Sequence, residues 1–170
     1  LNASKKYENQ KSWLSNTTEK DHTDVSTITF TASKELGNTK LNSFVLISEL
    51  NQDLDNFYSG DTSDTTKKQH NLFTINSETQ INPNLTTKVS YSYSSLKRTL
   101  NKTNSTSVYD GRINKLDIEN KWTANKYLNI IFGADQKTET GKVDDSWGAF
   151  PQTTQEVQGF YTKTYFNMGL

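Results

Sequence analysis

Ile81-Asn82-Pro83-Asn84, followed by Leu85-Thr86-Thr87-Lys88-Val89-Ser90-Tyr91-Ser92-Tyr93-Ser94, decides how this chain is read. One proline and two asparagines in four residues mark a tight turn. Proline presets φ, and asparagine hydrogen-bonds back to its own backbone. The run that follows alternates. Leu85, Val89, Tyr91 and Tyr93 fall on odd positions, and Thr86, Lys88, Ser90, Ser92 and Ser94 on even ones. A period of two gives a β-strand with one apolar and one polar face.

The same pattern spreads outward. In Val25–Ser33, Ile28, Phe30 and Ala32 alternate with Thr27, Thr29, Thr31 and Ser33. In Ile113–Trp122, Leu116, Ile118 and Trp122 alternate with Lys115, Asp117, Glu119 and Lys121. Tyr127–Asp135 carries Leu128, Ile130, Phe132 and Ala134 on one side, with Ile131 breaking the other. Leu41–Leu50, Lys68–Gln80, Val157–Met168 and Ala3–Ser15 read as strands with less regular alternation. These make about eight antiparallel strands, and no helix is expected. Pro83 falls in a turn and Pro151 in a loop, so no central strand is interrupted.

The connections alternate too. Tight turns are expected at Glu35-Leu36-Gly37-Asn38-Thr39, Ile81–Asn84 and Thr123-Ala124-Asn125-Lys126. Between them lie polar stretches expected to be long loops: Asn51–Thr66, Thr99–Asp110 and Thr138–Thr154. In an up-and-down meander every second connection emerges at the same end. All tight turns then fall at one end and all long loops at the other. Outer-membrane β-barrels have this asymmetry. The expected strand lengths, roughly 9–14 residues, exceed the usual 5–6 of globular strands and suit a tilted membrane crossing.

Composition points the same way. Hydrophobic residues make up 31% and mean hydropathy is -0.83, against an apolar share of roughly 45–50% in an average domain. Asn, Ser and Thr supply about a third of the chain. Such a sequence fills a globular core poorly but suits a barrel wall with one wet face. An aromatic content of 11% and clustered β-branched residues argue against disorder. With 19 basic and 19 acidic residues there is no basic excess for a nucleic-acid partner. No cysteine is present, which removes disulfides, cysteine-bound metals and cysteine nucleophiles. His22 and His70 lack paired metal-ligand spacing, and no nucleophile-elbow, P-loop or dinucleotide motif occurs. No enzymatic activity is expected. Leu1-Asn2-Ala3-Ser4 and Asn167-Met168-Gly169-Leu170 both stop in mid-pattern, so a segment of a longer chain is expected.

Tyr109-Asp110-Gly111-Arg112-Ile113-Asn114-Lys115-Leu116-Asp117 is followed by Glu119-Asn120-Lys121-Trp122, a short turn, and Leu128–Asp135. The hairpin at Asn82–Leu85 and the Ser90–Ser94 strand precede it, and Gly159-Phe160-Tyr161-Thr162-Lys163 closes the series. In order and spacing these segments resemble the β-barrel of TonB-dependent outer-membrane receptors of the cobalamin and siderophore type, from Val25 onward. The resemblance implies that residues 1–170 are part of such a barrel, with its plug domain and remaining strands lying elsewhere. It implies localisation in the outer membrane of a Gram-negative bacterium and lipid as a partner. It also implies contact with the TonB complex through the N-terminal plug region, and energised uptake of a scarce nutrient such as cobalamin or a ferric siderophore.

Two loop groups are candidate site residues. Asp53, Asp55, Asp61 and Asp64 are close in sequence, and hard carboxylate oxygens suit a structural Ca²⁺. The same residues also suit an ordinary solvated loop. Phe57, Tyr58, Trp147 and Phe150 can stack on a ligand at the loop end, or pack the loops onto their neighbours. Two other readings fit the composition. One is a secreted β-rich carbohydrate-binding module, and the other is a complete small outer-membrane barrel.

Overall fold

The computed structural model describes residues 2–11, 20–56, 60–145 and 148–166. They form eight strands: β1 (Asn2–Lys11), β2 (Lys20–Leu36), β3 (Thr39–Asn56), β4 (Gly60–Asn82), β5 (Leu85–Lys102), β6 (Ser105–Asn125), β7 (Leu128–Asp145) and β8 (Gly148–Phe166). All lie in one antiparallel sheet in sequence order. The sheet is open, and among the described residues β1 and β8 pair only with β2 and β7. A complete eight-stranded barrel would pair these two edges, and a sandwich would divide the strands between two sheets.

The tight turns form as their residues require. Gly37 has φ 58° and Asn38 is not left-handed, the pattern of a type II′ hairpin turn. Asn82 accepts the Asn84 backbone N–H through Oδ1 at 2.9 Å, and Asn125 accepts that of Tyr127 at 2.8 Å. Both are asparagine turns of the same build. The Gln80 N–H donates to the Asn38 carbonyl at 2.9 Å, and the Thr123 N–H to that of Asn84 at 2.8 Å, so neighbouring hairpins are tied together.

At the other end the structure corrects the sequence reading. The stretches expected to be loops are mostly strand. Thr99–Asp110 contains only a two-residue turn, Thr103-Asn104, and β3 and β4 stay paired from Asp53↔Thr65 to Asn56↔Gly60. Strands β2 to β8 run 17 to 23 residues. Ladder hydrogen bonds do not depend on side-chain polarity, and Thr, Ser and Asn add cross-strand bonds of their own. Asn101 Nδ2 donates to Thr65 Oγ1 at 3.3 Å, and Thr106 Oγ1 to Asn101 Oδ1 at 3.3 Å. Loss of apolar alternation therefore marks a change of surroundings, not the end of a strand. Connection length is not sorted, since the Thr103-Asn104 turn is as short as those at the other end, but the two sets of connections do lie at opposite ends. The hairpin ends at Asn56/Gly60, Thr103-Asn104 and Asp145/Gly148 lie opposite the turns at Gly37, Pro83 and Lys126.

Register divides the side chains between two faces. Ile28↔Ile47, Val45↔Phe73, Phe73↔Tyr93, Tyr91↔Leu116, Val89↔Ile118, Trp122↔Ile130 and Ala134↔Phe160 are cross-strand partners. Partners share a face, so these residues form one apolar band across seven strands on the tight-turn side. Ile28, Phe30, Leu116, Ile118, Leu128, Ile130 and Phe132 all lie on it, as alternation requires. Polar side chains inside the band satisfy one another, as where Thr87 Oγ1 donates to Asn120 Oδ1 at 2.8 Å.

The opposite face carries a charge ladder. Glu35↔Lys40, Lys40↔Glu78, Glu78↔Lys88 and Lys88↔Glu119 alternate in sign across five strands, and Lys88 Nζ lies 3.2 Å from Glu78 Oε2. Such a ladder specifies register, because a one-residue slip would move every member to the apolar face.

No hydrophobic residue is buried among the described residues. Apolar band members are 37% exposed at Tyr91, 47% at Ile28 and 86% at Phe160. The chain exposes 12129 Å², against about 8,500 Å² for a compact monomer of its 19.3 kDa. The ladder holds this sheet together, and among the described residues nothing packs against its apolar face.

On the apolar face, just beyond the band on the long-hairpin side, Glu49 accepts from Gln69 Nε2 at 3.0 Å and pairs with Lys67 Nζ at 2.8 Å. Hydrogen bonds from Lys67, then Gln69 and Asn51, hold its carboxyl down at about 2, from an ordinary 4.5. A depressed carboxylate stabilises the folded state above its unfolded value, and the gain is lost as pH falls toward the folded one. Between pH 4.5 and about 2 the wild type should therefore lose more stability than Glu49→Gln. Denaturation midpoints across that window check this, and identical pH slopes would refute it. The effect should be small, because both partners are partly exposed and screened.

Candidate functional site

The long-hairpin half of the polar face departs from the ladder. Gly111 and Gly141 are cross-strand partners in β6 and β7, so two adjacent positions lack side chains. They floor a groove of about 570 Å³ walled by Leu96, Tyr109, Val143, Phe150 and Pro151. A second hollow of about 450 Å³ runs from the same two glycines toward Ile113 and Gln155. Both volumes fall within the range of small-molecule sites. Glycine inside a strand often marks such a close approach.

A polar cluster borders the groove. Asp145 accepts from Ser107 Oγ at 2.9 Å and from the Tyr109 hydroxyl at 3.1 Å, and Ser107 is only 4% exposed. The bond to Asp145 and partial desolvation push the Tyr109 phenol above its ordinary value. Asp64 accepts from the backbone N–H and hydroxyl of Thr103 at 3.0 and 3.3 Å. Arg98, on the groove wall, donates from Nε to Thr66 Oγ1 at 3.4 Å. Its cross-strand partner is Lys68. Glu139, also along the groove, pairs with Lys137 at 2.7 Å.

The structure places the sequence-derived candidates unevenly. Phe150 lines the groove and is 68% exposed. Phe57, Tyr58 and Trp147 lie outside the described residues. The carboxylates proposed for Ca²⁺ are not brought together where they are described. Asp53 pairs with Thr65, and Asp64 with Leu54. The two side chains therefore leave opposite faces of the sheet and cannot share a cation. Asp53 Oδ2 instead accepts the His22 backbone N–H at 3.0 Å. For Asp55 and Asp61 only the backbone is described, in β3 and β4. Among the described residues no group of three His, Asp or Glu is placed to hold a metal ion.

Sequence reasoning missed Leu96, Arg98, Tyr109 and the two glycines as site residues. The available signal was glycine at Gly111 and Gly141 within otherwise extended runs. Its meaning depends on register, because only pairing makes the two adjacent. No protein-family model, curated protein or solved structure matches this chain.

Proposed function

We propose that this chain forms part of the wall of a Gram-negative outer-membrane β-barrel, and that the barrel is a receptor for TonB-energised uptake of a scarce nutrient. The observation that carries the wall reading is the continuous, unpartnered apolar band on one face of a sheet without a core. Water disfavours so large a patch, and soluble monomers rarely expose one. Lipid solvates it. From Leu85 to Tyr93 the band rises about 27 Å along the strand at about 3.4 Å per residue. At a tilt of about 40° this is about 21 Å along the membrane normal, close to the roughly 25 Å apolar belt of such barrels.

The polar parts of the strands then extend beyond the membrane as paired hairpins, on the extracellular side by analogy with known barrels. The charge ladder and the groove face the lumen. Edges β1 and β8 are where further strands join, since lipid does not tolerate unpaired backbone. A receptor with a plugged lumen has about 22 strands. The uptake reading draws its support from the segment order around Tyr109–Asp117 and Leu128–Asp135, and from a groove on the lumenal face near the hairpin ends. Cobalamin and ferric siderophores are the leading nutrient classes.

In plain buffer the chain should aggregate, and it should gain stable β-structure only with detergent or lipid. Sedimentation and circular dichroism test this. A monodisperse, folded monomer in buffer would contradict the wall reading. For uptake, deleting the gene or disabling TonB should each abolish growth on one limiting nutrient, cobalamin or a ferric siderophore. Undiminished growth on both nutrients would contradict the receptor reading.

A further inference from the structure

We propose that the groove over Gly111 and Gly141 binds a small amphipathic anion, with its apolar body on Leu96, Val143 and Phe150 and its anionic group on Arg98 and Lys68. Lys68 and Arg98 stand directly opposite each other on β4 and β5, and like charges in that position are destabilising. Neither forms an ion pair among the described residues; the ion pairs there join other groups.

The nearby carboxylates are already engaged. Asp145 is held by Ser107 and Tyr109, Asp64 by Thr103, and Glu139 by Lys137. Lys68 and Arg98 therefore have no carboxylate partner among the described residues, and Arg98 lines a mostly apolar groove. Among the described residues Arg98 donates only from Nε, to Thr66, which leaves its terminal N–H groups for a planar acceptor. An anionic group placed there would relieve the Lys68–Arg98 repulsion and gain charge-assisted hydrogen bonds. A neutral ligand would gain only the apolar contacts.

For the receptor reading this names the chemical class of the cargo or of one of its parts. The binding itself does not require that reading, and it can be measured without a bilayer. The full chain, folded in amphipol, is titrated calorimetrically with 2-naphthoate and with its neutral counterpart 2-naphthylmethanol. The naphthoate should bind about tenfold more tightly or better, a difference of about 1.4 kcal/mol. Lys68→Gln with Arg98→Gln should bring the two affinities together. Gly141→Val should abolish both, since a Cβ there meets nothing within 4 Å and the added side chain takes up the floor. Phe150→Ala, at an exposed position, should weaken both while leaving the circular dichroism spectrum unchanged.

Equal affinities in the wild type, no binding of either compound, or a preference that survives the double substitution would overturn the proposal. A chain that stays soluble in buffer and still prefers naphthoate would remove the membrane wall and leave the site. A chain that inserts in bilayers but shows no preference would do the reverse.

Discussion

Ile118→Arg should cut the yield of folded protein in lipid vesicles and cost about 2–4 kcal/mol, whereas Leu128→Arg should cost about 0–1 kcal/mol. Ile118 sits midway along the β6 part of the apolar band, opposite Val89 on β5 and Ala134 on β7. Ile118 is 39% exposed, and among the described residues nothing packs against it from across the sheet. In the proposed wall a guanidinium there would sit in the driest part of the bilayer. Leu128 opens β7 beside the Lys126-Tyr127 turn, so in the proposed wall an arginine there would reach the headgroups. Urea denaturation in vesicles measures both. Equal, small effects would mean that Ile118 faces water.

Gly133→Val should destabilise the sheet by about 1–3 kcal/mol, the usual range for forcing atoms into a filled space. Gly133 continues the charge ladder, with Glu119 on one side and Tyr161 on the other. The Tyr161 side chain crosses the glycine and donates its hydroxyl to Glu119 Oε2 at 3.3 Å. A Cβ at Gly133 would lie 2.6 Å from the ring and 2.5 Å from the Ile118 carbonyl oxygen. The ring can swing away, but the backbone oxygen cannot, so the strand itself must shift. An aromatic covering a strand glycine is a known means of fixing register. Tyr161→Ala should partly rescue Gly133→Val by freeing the space. If the double variant is no more stable than Gly133→Val alone, the backbone clash accounts for the whole cost.

The strand order and both faces were legible in the sequence because alternation is a local property. Leu116, Asp117, Ile118 and Glu119 announce two surroundings without reference to any neighbour. The turns at Gly37 and Pro83 were legible because their backbone chemistry is local as well. Strand ends were not. Between Thr99 and Asp110 no apolar side chain alternates with a polar one over any length, yet the ladder continues to a two-residue turn at Thr103-Asn104. Backbone pairing needs only a partner strand, and nothing in Asn101 or Lys102 reveals one.

The charge ladder and the groove were hidden for a related reason. Glu35, Lys40, Glu78, Lys88 and Glu119 are scattered over much of the chain, and only the register lines them up. Gly111 and Gly141 are likewise 30 positions apart in sequence and adjacent in the sheet. Phe150, singled out for its aromatic character, lines the groove. Arg98 and Lys68, read one at a time, were two ordinary surface cations. For Asp53 and Asp64, closeness in sequence misled, because strand geometry sends them to opposite faces.

The most direct measurement uses a chain that contains no cysteine, so each introduced cysteine carries a unique nitroxide label. Labels are placed singly at positions 115, 116, 117, 118 and 119, the protein is reconstituted in vesicles, and accessibility to oxygen and to a water-soluble nickel chelate is read by electron paramagnetic resonance. Labels at Leu116 and Ile118 should favour oxygen, while those at Lys115, Asp117 and Glu119 should favour the chelate, alternating with period two. Leu116 and Ile118 labels that match their neighbours, or that are shielded from both reagents, would contradict a lipid-facing wall.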